Sequence, residues 1–155
     1  MSAESLPNLL VIGGQKCGST WLHERLEVHP EIFMSNPKEL RFFGHKGKTD
    51  SEQGLVDYRA HFAAGAEQHY RGESTPAYFW SYDENSPWAV DLKRSNLRIP
   101  PVVRRILGPE VKLILSLRDP VQRAISAFHH HLRAGNLEAG DTIRQQGHRF
   151  GIIDM

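Results

Sequence analysis

The run LLVIGGQKCGST at residues 9–20 constrains this chain more than any other stretch. Leu9–Ile12 is apolar and ends on Gly13-Gly14, which predicts a buried parallel strand entering a tight turn. A helix is expected from Ser19 to about His29: Leu22 and Leu26 lie four apart, Trp21 and Val28 seven apart, and His29-Pro30 stops the pattern. Strand, glycine-rich turn and helix N-terminus in succession aim backbone N–H groups and the positive end of a helix dipole at one point. An anion is the natural ligand of such a unit.

The rest of the chain extends the pattern. Glu31–Ser35 reads as a short extended segment, Asn36-Pro37 as a turn, and the Phe42-Phe43 pair of KELRFFG as an anchor to the core. Leu55, Tyr58 and Phe62 recur at helical spacing, and HYRGESTPAYF reads as a strand running into a Ser/Thr/Pro turn. Residues 80–100 mix aromatics, including Trp80 and Trp88, with charges and turn formers and no period, the pattern of a long loop or lid. Pro101 suits the first position of a helix over Val102–Leu107, ended by Gly108-Pro109. VKLILSL, residues 111–117, predicts a strand. A helix follows it, with Asp119 as N-cap, Pro120 in its first turn, and the apolar stripe Val121, Ala124, Ile125, Phe128, Leu132.

Strands alternating with helices imply an α/β fold, a central parallel sheet flanked by helices in three layers, built as a single domain over residues 1–155. Such sheets bind ligands outside the carboxyl ends of their strands, where both Gly13–Thr20 and Arg118-Asp119 fall. The net charge is only +1, so no global field draws in nucleic acid, and any anion must be caught locally. Cys17 is the single cysteine, which excludes an internal disulfide. The N-terminus has no basic leader, and no apolar run reaches the roughly eighteen residues of a membrane span, so the expected location is cytoplasmic. His129-His130-His131 cannot all face one metal, since consecutive helical residues point about 100° apart, and they are expected on a solvated face.

Which anion binds turns on one lysine. The triphosphate loop G-x-x-x-x-G-K-[ST] fits Gly13, Gly18 and Thr20, but Ser19 stands where its lysine belongs and the loop lysine is Lys16. Gln15-Lys16-Cys17-Gly18-Ser19-Thr20-Trp21-Leu22 instead resembles the 5′-phosphosulfate loop of sulfotransferases that use 3′-phosphoadenosine 5′-phosphosulfate (PAPS), with Cys17 at its small-residue position. LRDPVQRAISAF, residues 117–128, is similar to that family's 3′-phosphate motif, with Arg118, Asp119, Pro120, Arg123, Ser126 and Phe128 in register. PKELRFF, residues 37–43, resembles the K-E-x-x-F-F stretch of the heparan-sulfate-type and bacterial members, and GESTPAYF, residues 72–79, resembles their E-x-[ST]-P-x-Y-F segment.

The resemblance implies a sulfotransferase with a phosphate-loop-like fold, moving a sulfuryl group from PAPS, its co-substrate, to a hydroxyl or amine of a carbohydrate or small-molecule acceptor. It assigns Lys16 and Glu39 to catalysis, Glu39 as the base and Lys16 at the leaving phosphate. It assigns Gln15, Lys16, Cys17, Gly18, Ser19, Thr20, Trp21, Arg118 and Ser126 to the donor, with no metal, and puts Ser74 and Thr75 at the site or in its turn. Against the family's usual domain the chain is short, so the sheet is expected to be incomplete at its C-terminus, with an uncovered edge open to a second copy. A phosphate-loop kinase or nucleotidase with Asp119 on Mg²⁺, and a shortened nucleotide-binding domain without turnover, stand as the alternatives.

Overall fold

Leu9, Leu10 and Val11 are all buried because their strand runs through the interior of a sheet covered on both faces. In the computed structural model, residues 6–79, 98–147 and 152 are described. The sheet has four strands, β1 (Leu9–Gly13), β2 (Ile32–Met34), β3 (Tyr70–Ser74) and β4 (Lys112–Leu115), in the order β2-β3-β1-β4. All three pairings are parallel: Leu10 lies opposite Glu73 on one side and Leu113 on the other, and Phe33 opposite Arg71. The carboxyl ends of β1, β3 and β4 therefore share one rim.

The two-residue period of β1 distributes the layers. Leu9 and Val11 join Met34 on the face where Leu22 and Leu26 of α1 (Ser19–Glu27) pack. Leu10 faces the opposite side, toward Phe42, Phe43, Tyr58, Phe62, Tyr78, Ile99, Val102 and Val103. That second layer is built from α3 (Glu52–Ala60), a turn of 3₁₀ helix at Phe42–Gly44 and α4 (Ile99–Leu107), with α2 (Lys46–Thr49) beside α3. Phe42 stacks on Tyr58 with ring centroids 4.0 Å apart, and Phe43 and Phe62 meet the same tyrosine edge-on. The Phe42-Phe43 pair is thus the anchor expected of it, and the three-layer parallel α/β architecture is the expected one.

Differences from expectation have local causes. α4 starts at Ile99 rather than Pro101, because the first turn of a helix needs no N–H and so accepts Pro100 and Pro101. The expected loop over 80–100 thereby loses its last two residues to α4, and residues 80–97, with Trp80 and Trp88, lie outside the described residues. Of the seven-residue pair, Trp21 in α1 and Val28 just past its end are 64 % and 73 % exposed, and the edge with Ser19, Leu22, His23 and Leu26 faces the sheet. β4 ends the order of described strands, and Leu113, Leu115 and Leu117 are exposed there.

The helix α5 (Pro120–Arg133) has the expected start: the Asp119 carboxylate accepts a hydrogen bond from the Gln122 N–H at 2.9 Å. Its buried stripe, however, is Arg123, Ala127, Phe128 and His131, while Val121 and Ile125 are exposed. The buried Arg123 guanidinium donates to the Ile152 carbonyl at 2.8 Å, which fixes the helix's rotation. A further turn, α6 (Ile143–Gln146), packs on α5. Among the described residues, no helix is long and apolar enough to cross a membrane.

Because Leu10 is fully buried between β3, β4 and the aromatic layer, Leu10→Ala should lower unfolding free energy by about 2–5 kcal/mol. Urea unfolding followed by circular dichroism checks this, and a loss under about 1 kcal/mol would contradict the central position of β1.

Candidate active site

The loop after β1 takes its shape from two left-handed residues. Gly18, at φ 85°, caps α1, and an added Cβ there would meet nothing, so glycine is required by conformation rather than by space. Lys16, at φ 61°, has no such freedom and is held in place by its surroundings. The Cys17 N–H donates to the Gly14 carbonyl at 3.1 Å, and the Gly14 N–H donates to the Ser116 carbonyl at 2.8 Å, tying the loop to the end of β4. Alternating left-handed positions before a helix N-terminus form a concavity of N–H groups suited to an anion.

The rim shared by β1, β3 and β4 opens into a cavity of about 680 Å³. It is lined by Gln15, Lys16, Gly18, Ser19 and Thr20 from the loop and α1, by Glu39 and its neighbours, and by Arg118, Ser126 and His130 from β4's end and α5. Eight of the ten residues expected at the site thus face one space. The other two do not: the Cys17 thiol turns back to the Gln15 carbonyl at 3.6 Å, and Trp21 projects outward. Of the pair at the end of β3, Thr75 lines the cavity, whereas Ser74 pairs with His23 Nδ1 of α1 at 3.0 Å, since successive residues along a strand face opposite ways.

Glu39 sits on a strained segment, at φ 63°, with Arg41 at φ 53°. Lys16, Glu39 and Arg41 are the non-glycine residues with positive φ among those described, and all three line the cavity. Strain of this kind concentrates where function needs a fixed geometry. Lys38 Nζ donates to Glu39 Oε1 and Arg41 Nη2 to Oε2, each at 3.0 Å. Burial pushes the Glu39 carboxyl up, but the hydrogen bonds from Arg41 and Lys38, together with their charges, outweigh it and hold the group below the ordinary glutamate range.

The cations are tuned as well. Burial, with the charges of Arg133 and Lys38, lowers the pKa of Lys16 and makes its ammonium a stronger hydrogen-bond donor. His130, next to Lys16 and Glu39, is lowered by desolvation and by the charges of Lys16 and Arg133, against a smaller opposing pull from Glu39. Sequence spacing alone placed the three histidines on a solvated face. His129 and His130 are exposed, but His130 also lines the cavity, and His131 is buried with Nδ1 3.1 Å from Asn136 Nδ2. His130 follows Ser126 by four residues, one helical turn, and that spacing is the signal that would have found it. Asp119 commits an oxygen to capping α5, which disfavours it as a Mg²⁺ ligand.

A parallel α/β sheet whose first strand feeds a glycine loop and a helix, with cations from a second strand end closing the same cavity, belongs to the phosphate-loop class of folds. The sulfotransferase family matches residues 7–149, and the chain belongs to that family. It is 32 % identical to mouse (Mus musculus) carbohydrate sulfotransferase 15 over 79 % of its length, and 32 % identical to the membrane-associated sulfotransferase kil1 of Dictyostelium discoideum over 83 %. Mouse heparan sulfate glucosamine 3-O-sulfotransferase 3A1 is 28 % identical over 98 % of this chain. The matches span 27 %, 24 % and 34 % of those relatives, so the chain corresponds to about a quarter to a third of each. The crystal structure of a sulfotransferase from Alicyclobacillus acidocaldarius superposes with a TM-score of 0.67 at 20 % identity, over 90 % of this chain and 55 % of that one, and shares the fold.

Removing the Arg41 guanidinium should let the Glu39 carboxyl titrate at higher pH, observable by NMR titration of Arg41→Ala against wild type. A carboxyl held low in the folded state contributes stability above its unfolded pKa and loses it as pH falls, so the variant should also lose less stability on acidification. An unchanged titration would show that Lys38 alone holds the group.

Proposed function

We propose that this chain carries the donor site and the base of a sulfotransferase that moves a sulfuryl group from PAPS to a hydroxyl or amine of a carbohydrate acceptor. One observation carries the reading: the loop lysine, Glu39 and the Arg118/Ser126 pair, far apart in sequence, line a single cavity large enough for a nucleotide. The 5′-phosphosulfate lies against Lys16–Thr20 and the N-terminus of α1. The 3′-phosphate is held by Arg118, whose guanidinium suits a bidentate grip, and by the Ser126 hydroxyl. Carbohydrate is favoured over a small alcohol because the similar mouse proteins are a carbohydrate sulfotransferase and a heparan sulfate sulfotransferase.

In the transfer, the bond between sulfur and the bridging oxygen of the 5′-phosphate breaks while sulfur bonds to the acceptor oxygen or nitrogen. The acceptor's proton passes to Glu39 and then to water, and the electron pair of the broken bond leaves with the 3′,5′-bisphosphate. Lys16 stabilises the charge that grows on that bridging oxygen, so its benefit is larger in the transition state than before it. A carboxylate clamped by Lys38 and Arg41 is a weak base. Donor anion entering beside these cations draws them toward its phosphates, and Glu39 regains basicity as it is released. A reducing, cytoplasmic compartment suits a chain whose single cysteine is a partly buried free thiol.

The reading is tested with radiolabelled PAPS and a panel of glycans. Lys16→Ala should lower kcat by about 10²–10³, and Glu39→Gln by about 10²–10⁴ with the KM for donor nearly unchanged. Transfer at the wild-type rate in either variant would remove that residue from the mechanism.

A further inference from the structure

We propose that Glu73 is a positioning residue for Glu39, its buried carboxylate holding the segment Glu39–Phe43 in the shape that turns Glu39 toward the cavity. What Glu39 does there rests on the sulfuryl-transfer reading above; that Glu73 holds the segment rests on geometry alone.

Glu73 lies in β3 with no exposure to solvent, an unusual place for a carboxylate unless every lone pair is used. Its Oε1 accepts from the Tyr58 hydroxyl at 2.7 Å and the Tyr78 hydroxyl at 3.0 Å, and its Oε2 from the Thr75 hydroxyl at 2.8 Å. The backbone N–H of Leu40 donates to it as well. Two of the three hydroxyls have a second task. Thr75 Oγ1 accepts from the Arg41 N–H at 3.3 Å, and the Tyr78 hydroxyl accepts from the Phe43 N–H at 3.3 Å. The Leu40, Arg41 and Phe43 amides are therefore tied to one carboxylate, directly or through one hydroxyl, and the Glu39 N–H is held next door by the Ser74 carbonyl at 3.0 Å.

This accounts for two features left over by the donor site. Glu39 and Arg41 adopt left-handed backbone that neither residue type favours, and strain of that kind persists only where surrounding bonds over-determine it. The segment GESTPAYF also acquires a physical reason for its residue types: Glu73 is the acceptor, Thr75 and Tyr78 relay it to the loop, and Pro76 starts the 3₁₀ turn that swings Tyr78 back. Burial pushes the Glu73 carboxyl up, while the hydrogen bonds from Tyr58, Thr75, Tyr78 and Leu40 pull against it. Four donors converging on an acceptor-only group is an arrangement that an amide, with its own N–H donors, cannot reproduce.

The test compares Glu73→Gln, Thr75→Val and Thr75→Ser with wild type by three measurements: amide hydrogen exchange at residues 39–43, kcat and KM for sulfate transfer, and calorimetric binding of 3′-phosphoadenosine 5′-phosphate. Glu73→Gln and Thr75→Val should accelerate exchange at Arg41 and lower kcat by up to about 10²-fold, the cost of a small misplacement of a reacting group. The acceptor KM and bisphosphate affinity should stay near wild type, and Thr75→Ser, which keeps the hydroxyl, should restore both exchange and kcat. Should Glu73→Gln not fold, the valine and serine pair decides. Wild-type exchange and kcat in Thr75→Val, or a serine variant as impaired as the valine one, would overturn the proposal. If wild type neither binds the bisphosphate nor transfers sulfate, the sulfuryl-transfer reading fails, and the exchange data still decide whether Glu73 holds the segment.

Discussion

Everything at the site depends on the parallel pairing of β1 with β3 on one side and β4 on the other. Parallel strands deliver their carboxyl ends to the same rim, so whatever follows each strand in sequence meets there. After β1 comes the anion loop, after β3 the Thr75–Tyr78 turn, and after β4 Arg118 and α5. The constraint explains how residues a hundred positions apart share a cavity without any direct bond between them. The Gly14–Ser116 and Ser116–Gly13 hydrogen bonds then lock the two strand ends together at the cavity rim.

The electrostatics of the cavity follow from the same convergence. Lys16, the Lys38 and Arg41 pair, and Arg118 approach from three separate segments, and Glu39 is the carboxylate among them. Burial, with the charges of Arg133 and Lys38, lowers the pKa of Lys16 in this partly desolvated space. A site with an excess of unneutralised cations and one restrained carboxylate is poised for a polyanionic donor. In the proposed transfer the arriving donor frees the carboxylate, which couples donor binding to basicity.

Much of this was legible in sequence where a local rule applied. The strand, loop and helix of residues 9–27, the Asp119-Pro120 start of α5 and the Phe42-Phe43 anchor each rest on a few adjacent residues and a single physical reason. Rotation about a helix axis was not legible. The apolar stripe of α5 predicts Val121 and Ile125 inside, yet Arg123 and His131 are buried, because the helix packs its Ala127–Phe128 side against Leu137, Ile143 and Ile152. Nor was Glu73: a charged residue in a strand reads as solvated, and its tyrosine and threonine partners come from α3 and from the turn beyond β3. Nor is the place of His130 legible, because its neighbouring histidines say nothing about the cavity opposite.

The central claim, that both strand ends serve one phosphoadenosine donor, is tested most directly by following backbone amides in a ¹⁵N-labelled chain during titration. With 3′-phosphoadenosine 5′-phosphate, the account predicts that signals of Lys16–Thr20 and of Arg118–Ser126 move together in one saturable curve. Movement of the loop signals alone, or saturation by ATP–Mg²⁺ in preference to the bisphosphate, would contradict it.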